Sequence, residues 1–219
     1  MSTQTNDSIL STNSTSVNRQ HYWLAWELLC NVVLAIYFLQ FVVANGASLM
    51  ASFRLSTLLL LFKVSADAIF HLVRRPAKDI SLNPYDWVIG IVGAYTNFFY
   101  LAVEGHDNLG GTLLQIVGLF LAVFAMISLN RSIGFVAANR GVKSDGMYRW
   151  VRHPLYMAYM VSFFGFLLNH FTVHNLLVYT IMATCLYLRS RSEERVLLRD
   201  PEYQEYSQRV RYRLIPFVI

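Results

Sequence analysis

Four residue types able to bind or move protons gather in two short stretches, "DGMYRWVRHPLYMAY" (145–159) and "RSRSEERVLLRDPEYQEYSQRV" (189–210). The first supplies Tyr148, Arg149, Arg152, His153 and Tyr156 around Pro154; the second supplies Arg191, Glu193, Glu194, Tyr203, Tyr206 and Arg209. Guanidinium and phenol donors bind carboxylates, while carboxylates accept from hydroxyls and ammonium groups. Such a set holds a polar, multiply charged small molecule. Each feature also has a plainer reading. Arginines at a membrane surface anchor headgroups, Trp150 suits an interfacial aromatic belt, and Glu193 and Glu194 suit a solvated helix face.

The elements that position these residues follow from composition. The 219-residue chain is 55% hydrophobic and 14% charged, whereas soluble domains carry about 25% charged residues. Continuous apolar runs approach the roughly 20 residues that cross a bilayer core. They predict an all-α, polytopic membrane helical bundle with about six membrane segments. The expected spans are Trp23–Ala44, Leu55–Val73, Asp86–Val103, Leu109–Leu129, Leu155–Leu168 and Val173–Leu188, the fifth being short. Residues 1–20 read as a disordered polar tail, 21–129 as four transmembrane helices, and 130–219 as a cytoplasmic loop, a helical hairpin and C-terminal helices. β-Barrel spans are excluded by the lack of period-two alternation.

Lys and Arg in the short connections orient the bundle. "RRPAK" and the loop with Arg131, Arg140, Lys143, Arg149 and Arg152 belong on the cytoplasmic side, with both termini. "EGHDN" and "NHFTVHN" lack Lys and Arg and belong opposite. The net charge of +5 therefore reflects membrane orientation and not nucleic-acid binding. Cys30 and Cys185 lie in apolar runs without metal spacing, so no metal is expected.

The apolar hairpin 155–188 starts at the first motif and ends at the second, which places both at one membrane face. Tyr187, Arg191 and Glu194 recur at helical spacing. Asp200-Pro201 predicts an N-cap and a new helix carrying an apolar stripe of Tyr203, Tyr206 and Val210. In the second span, "FKVSADAIFH" puts Lys63, Asp67 and His71 on one face at membrane depth. A structural Lys–Asp pair is the favoured reading there, ahead of a substrate-headgroup site.

The ordered set "GxYRxVRHPxY", hairpin, "R-x-EE-x-x-L" and "EYxxYxxRV" resembles the isoprenylcysteine carboxyl methyltransferase family and its relatives, the phospholipid N-methyltransferases. The resemblance covers Asn130 to Pro216; the first four spans share only hydrophobicity with it. It implies an integral membrane enzyme that transfers methyl from S-adenosyl-L-methionine to a lipidic or isoprenylated acceptor, including a carboxyl group of the isoprenylcysteine type. It implies cofactor binding by Tyr148, Arg149, Val151, Arg152, His153, Pro154, Tyr156, Glu193, Glu194, Tyr203, Tyr206 and Arg209. Arg191 and Glu194 are the candidate catalytic residues, and Lys63 and Asp67 the candidate substrate residues. The sequence departs from the family pattern at Met147 (usually Pro), at Ala158 (usually Gly) and at Arg199-Asp200-Pro201 (usually containing Phe-Gly). The ending "VRYRLIPFVI" also resembles NADPH-dependent sterol or lipid reductases, and a non-catalytic lipid-binding relative is the third reading.

Overall fold

The computed structural model describes residues 29, 32–33, 35–72, 79–81, 83–129, 132, 137–139, 141–216 and 218. The N-terminal tail, "RRPAK", Arg131 and Arg140 lie outside the described residues, as does the His71 side chain. Met1–Tyr37 and Phe38–Ile219 are separate units. In the first, the described residues are helical. The remaining architecture belongs to the second.

Helices dominate because the apolar runs satisfy their backbone groups internally. After α1 (Ala35–Ala51) come α2 (Leu55–Leu72), α3 (Pro84–Tyr95) and α4 (Leu109–Leu129). Then follow α5 (Pro154–Asn169), α6 (Val173–Leu197) and α7 (Pro201–Arg209). Two residues on either side of the loops, Asp79–Ile80 and Ala138–Asn139, pair antiparallel. Among the described residues, α4 is the helix long and apolar enough to cross a membrane; α1 and α5 are apolar but shorter.

α4 and α5 form the tightest seam, and small residues cause it. A Cβ on Gly111 would stand 2.9 Å from the Gly165 carbonyl oxygen, and one on Gly165 would stand 2.6 Å from the Gln115 nitrogen. A Cβ on Gly118 would run into the Ser162 backbone. Such small-residue faces let two helix backbones approach closely. Ala158 lies one turn before Ser162 on the same face and is fully buried. Its methyl group is therefore a helix–helix packing element.

The third apolar run departs from the expected span. The α-helix stops at Tyr95, a 3-10 turn covers Thr96–Phe99, and Tyr100 is extended. Non-helical backbone in an apolar setting needs partners for every N–H and C=O. Here side chains provide them. Asn45 bonds the Tyr100 carbonyl at 3.3 Å and the Ala102 N–H at 3.1 Å. Asn175 bonds both the N–H and the carbonyl of Leu101 at 3.1 and 2.8 Å. His170 accepts from the Val103 N–H at 3.1 Å, and Arg54 donates to the Val103 carbonyl. The Tyr100 ring then stacks on Phe163 at 4.5 Å and fills the core.

Candidate functional site

The RHP motif ends the polar loop as a short clasp. Gly146–Arg149 form a 3-10 turn, and Gly146 takes a φ of +59°, which favours glycine. A Cβ there would also strike the Ser128 hydroxyl. Pro154 opens α5 at the position where a missing N–H costs nothing. The two preceding N–H groups bond the chain tail, Arg152 to the Tyr212 carbonyl at 2.9 Å and His153 to the Arg213 carbonyl at 2.8 Å. Two backbone hydrogen bonds thus clip the tail to the motif.

Side chains lock this pairing to α6. Glu194 accepts from Arg152 Nε at 2.7 Å and from Arg213 Nε at 2.8 Å. Arg152 also donates to the carbonyls of Val210 and Arg211, at 2.8 and 2.9 Å. Glu193 accepts from the Tyr156 hydroxyl at 2.5 Å and from Arg189 Nε at 3.1 Å. The His153 ring stacks on Tyr156 at 5.4 Å and lies between the carboxylates, its Nε2 3.4 Å from Glu194 and its Nδ1 3.6 Å from Glu193.

α7 closes the cluster from the side. Asp200 caps it by accepting from the Glu202 N–H at 3.0 Å and is itself held by Asn139 at 2.8 Å. Tyr203 and Tyr206 are buried against Tyr148 and Val210, as the Asp-Pro start and the stripe predict. Tyr206 donates to the Tyr148 carbonyl at 2.7 Å. The Tyr203 hydroxyl and His153 Nε2 are buried without a hydrogen-bond partner among the described residues. Unpaired buried polar atoms are costly and call for a ligand or a water.

Electrostatics separates binding groups from proton carriers. Burial pushes the Glu194 carboxyl up, but the nearby His153 ring and the hydrogen bonds from Arg213 and Arg152 outweigh it and hold the group at about 2. A carboxylate that acidic is a poor base at neutral pH. Burial, followed by the charge of Glu194, raises the Tyr203 phenol, and burial first also raises Tyr206 and Tyr148. These phenols stay protonated and act as donors.

Not every predicted residue joins the clasp. Arg149 is exposed and only 3.6 Å from an equally exposed Asp145, and Arg209 is exposed at the end of α7. Val151 is a core packing residue. Arg191 is exposed, yet it lines a cleft of about 360 Å³ together with Glu194 and Arg213. The reductase-like ending has a local role, because the carbonyls of its "VRYR" accept hydrogen bonds from Arg152 and His153.

The second-span pair sits apart. Lys63 and Asp67 are 2.8 Å apart and buried, and the Lys63 ammonium lies 3.6 Å over the Tyr159 ring and 3.9 Å over the Phe163 ring. Tyr159 donates to Asp67 at 2.6 Å, tying α2 to α5. Tyr159 stands on α5 one turn after Tyr156, so the pair lies one helical turn deeper than the clasp.

A second polar cluster escaped sequence reasoning. Arg54 pairs with Asp107 at 2.7 Å and donates to the Asn169 carbonyl at 2.8 Å. His170 meets Ser56 at 2.8 Å and Arg54 at 2.9 Å. Asn169 bonds Gln115 at 3.1 Å and the Asn108 N–H at 2.8 Å. Arg54 also explains a cation at the end assigned few of them: Asp107 neutralises it. The signal was the chain of polar residues in "EGHDN" and "NHFTVHN", but their partner Arg54 is more than fifty residues away from either in the first case and over a hundred in the second.

No curated relative matches the chain at a significant level. Residues 107–203 take in α4 as well as the motifs, so the similarity begins one helix earlier than the motifs themselves suggest, and they match the phospholipid methyltransferase family.

Proposed function

We propose that the chain is a multi-pass membrane methyltransferase that uses S-adenosyl-L-methionine to methylate a lipidic acceptor, with the clasp of α5, α6, α7 and the tail as its cofactor site. The family match supports methyl transfer to lipid-type molecules. The carrying observation lies within that match: two buried polar atoms, His153 Nε2 and the Tyr203 hydroxyl, stand without hydrogen-bond partners among the described residues, beside the paired carboxylates. An imidazole nitrogen, a phenol donor and acidic acceptors fit a ligand that bears an ammonium, a carboxylate and a ribose diol.

When bound, S-adenosyl-L-methionine supplies a methyl group activated by its sulfonium. The chain has only to hold that methyl in line with an acceptor, and such positioning supplies roughly 7–11 kcal/mol of a barrier. In this reading Arg152, His153, Tyr156, Glu193, Glu194 and Tyr203 bind and orient. Tyr148 and Tyr206 brace α7, and Pro154 fixes the turn. Arg191, with Glu194, borders the opening. Lys63 and Asp67 stand deeper, where an acceptor headgroup would lie, and their mutual ion pair also serves as a plain α2 packing contact.

The membrane reading has its own support. Leu113, Val117, Phe120, Phe124 and Ile127 recur on one face of α4 and are all about half exposed or more. A stripe of that size needs lipid or a partner. Cytoplasmic placement of both termini and of the clasp follows from the charge bias of the loops.

Calorimetric titration of the purified chain with S-adenosylhomocysteine tests the cofactor site. Saturable binding is expected, weakened about tenfold or more in Glu194→Gln and His153→Ala. A labelled-cofactor assay on a lipid extract, read by product mass, then identifies the acceptor. Absence of any labelled lipid despite binding would favour the non-catalytic relative.

A further inference from the structure

α7 has nine residues, and helices shorter than about 12 residues are marginal on their own. Its place therefore depends on what holds it. Residues 198–200 join it to α6. A link that short fixes where α7 begins but not its direction. Tyr206 holds the second turn through the Tyr148 carbonyl. Asn139 holds the start. Its side-chain amide donates to Asp200 Oδ2 at 2.8 Å, while Asp200 Oδ1 accepts from the Glu202 N–H at 3.0 Å. One carboxylate thus caps the helix and ties it to another part of the chain.

Asn139 is anchored from outside the clasp. Its Oδ1 accepts from the N–H of Gly141 at 2.8 Å, and Gly141 takes a φ of +100°, which favours glycine. Its backbone is paired with Asp79. The Ser81 N–H extends that pairing to the Ala137 carbonyl at 2.9 Å. Ser81 then donates through its hydroxyl to Asp86 at 2.5 Å, and Asp86 accepts from Arg195 at 2.8 Å. Ser81, Asp86 and Asn139 are all buried. Arg195 follows Glu194 on α6. A chain of polar contacts therefore leaves α6 beside Glu194, passes through the connection between α2 and α3, and returns to the cap of α7. Residues 79–86 lie outside both motifs and outside the family match.

The geometry of the clasp depends on this strap. Tyr203 stands one turn after Asp200 and carries the buried hydroxyl that has no hydrogen-bond partner among the described residues. Any tilt of α7 about its start moves that hydroxyl relative to His153 and Glu194. A misplacement of about 1 Å can cost on the order of a hundredfold at a preorganised site. We propose that Asn139 is a positioning residue of the cofactor site: it sets the angle at which α7 presents Tyr203, and it takes its own place from the α2–α3 connection. The inference rests on the cofactor reading given above. Asn139 itself touches no ligand in it.

An exchange of the two side chains tests this. Asn139→Asp keeps an acceptor for the Gly141 N–H but sets a carboxylate against Asp200. Adding Asp200→Asn rebuilds the bond with donor and acceptor reversed, and asparagine caps a helix as well as aspartate does. Calorimetric titration with S-adenosylhomocysteine and hydrogen exchange of the α7 amides are read on the parent, Asn139→Asp and the double variant, well below the melting temperature of each. Asn139→Asp should bind about tenfold more weakly and exchange faster over 203–209. The double variant should recover both to within about twofold of the parent. Parental affinity in Asn139→Asp would overturn the inference, even with faster exchange, because Asn139 would then serve stability alone. A loss that the double variant keeps, or one without faster α7 exchange, would overturn it too. No binding by the parent would sink the cofactor reading and this inference together, whereas equal binding by parent and Asn139→Asp sinks this inference alone.

Discussion

The two polar clusters of this bundle are built from the same residue types and differ in what they leave unfinished. At one end, Arg54, Asp107, Ser56, Asn169 and His170 bond one another and the backbone of Val103. At the other, Arg152, Arg213, Glu193 and Glu194 surround His153 and Tyr203, each of which keeps a buried polar atom without a hydrogen-bond partner among the described residues. A network whose members bond one another and the chain is structural, because any ligand would have to displace bonds already made. A network with spare donors and acceptors beside an open cleft is prepared to bind. The contrast separates a plug that stabilises the fold from a clasp that, in the proposed reading, binds the cofactor.

The sharpest way to break this comparison is to remove a charge from the plug. Asp107→Ala leaves Arg54 buried without its carboxylate and should cost about 3–5 kcal/mol of stability. Thermal unfolding in detergent checks it, and the folded fraction should still bind S-adenosylhomocysteine with parental affinity. If the loss appears in binding and not in stability, the roles of the clusters are reversed.

Titration behaviour separates the clusters next. Burial, and then the Arg54 charge, lowers His170 to about 4, against an ordinary value near 6.5. The unfolded chain then binds a proton that the fold does not, so stability is full above pH 6.5 and falls as pH drops toward 4. Glu194, depressed to about 2, gives a contribution present above its ordinary value near 4.5 and lost as pH falls from there toward 2. Unfolding measured across pH should show two steps, and His170→Asn should remove only the upper one.

The smallest expected effects are the most discriminating. Tyr206→Phe removes a bond to the Tyr148 carbonyl and should cost about 1 kcal/mol of stability. Tyr203→Phe removes a hydroxyl with no partner among the described residues and should leave stability within about 0.5 kcal/mol. It should nevertheless weaken cofactor binding several-fold. Equal stability losses in the two variants would mean that the Tyr203 hydroxyl is satisfied in the ligand-free protein.

The clasp was legible in the sequence because its parts are short and contiguous. Arg152-His153-Pro154, Glu193-Glu194 and Asp200-Pro201 each sit at one helix end, and one hairpin joins them. The Asp200 cap and the Tyr203, Tyr206 and Val210 stripe follow from local rules. Arg149 and Arg209 share the motif but not the geometry, since only the direction of a side chain from its turn decides that. The plug was not legible. Asn45, Arg54, Asp107, His170 and Asn175 are scattered over 130 residues, and each alone reads as an ordinary loop polar. Hydropathy continues through Tyr100–Val103, so nothing in composition marks where α3 ends; the side chains of Asn45 and Asn175 make that ending tolerable. Ala158 shows the reverse case. Against the family pattern it is a departure near the RHP motif, yet the fold turns it toward α4.

The most direct test is a calorimetric titration of S-adenosylhomocysteine into the purified chain and its Glu194→Gln variant at neutral pH. The account predicts one saturable site in the parent and an affinity at least about tenfold lower in the variant, with the melting temperature of both recorded in parallel. No saturable heat in the parent, or equal affinity in the two, would contradict it.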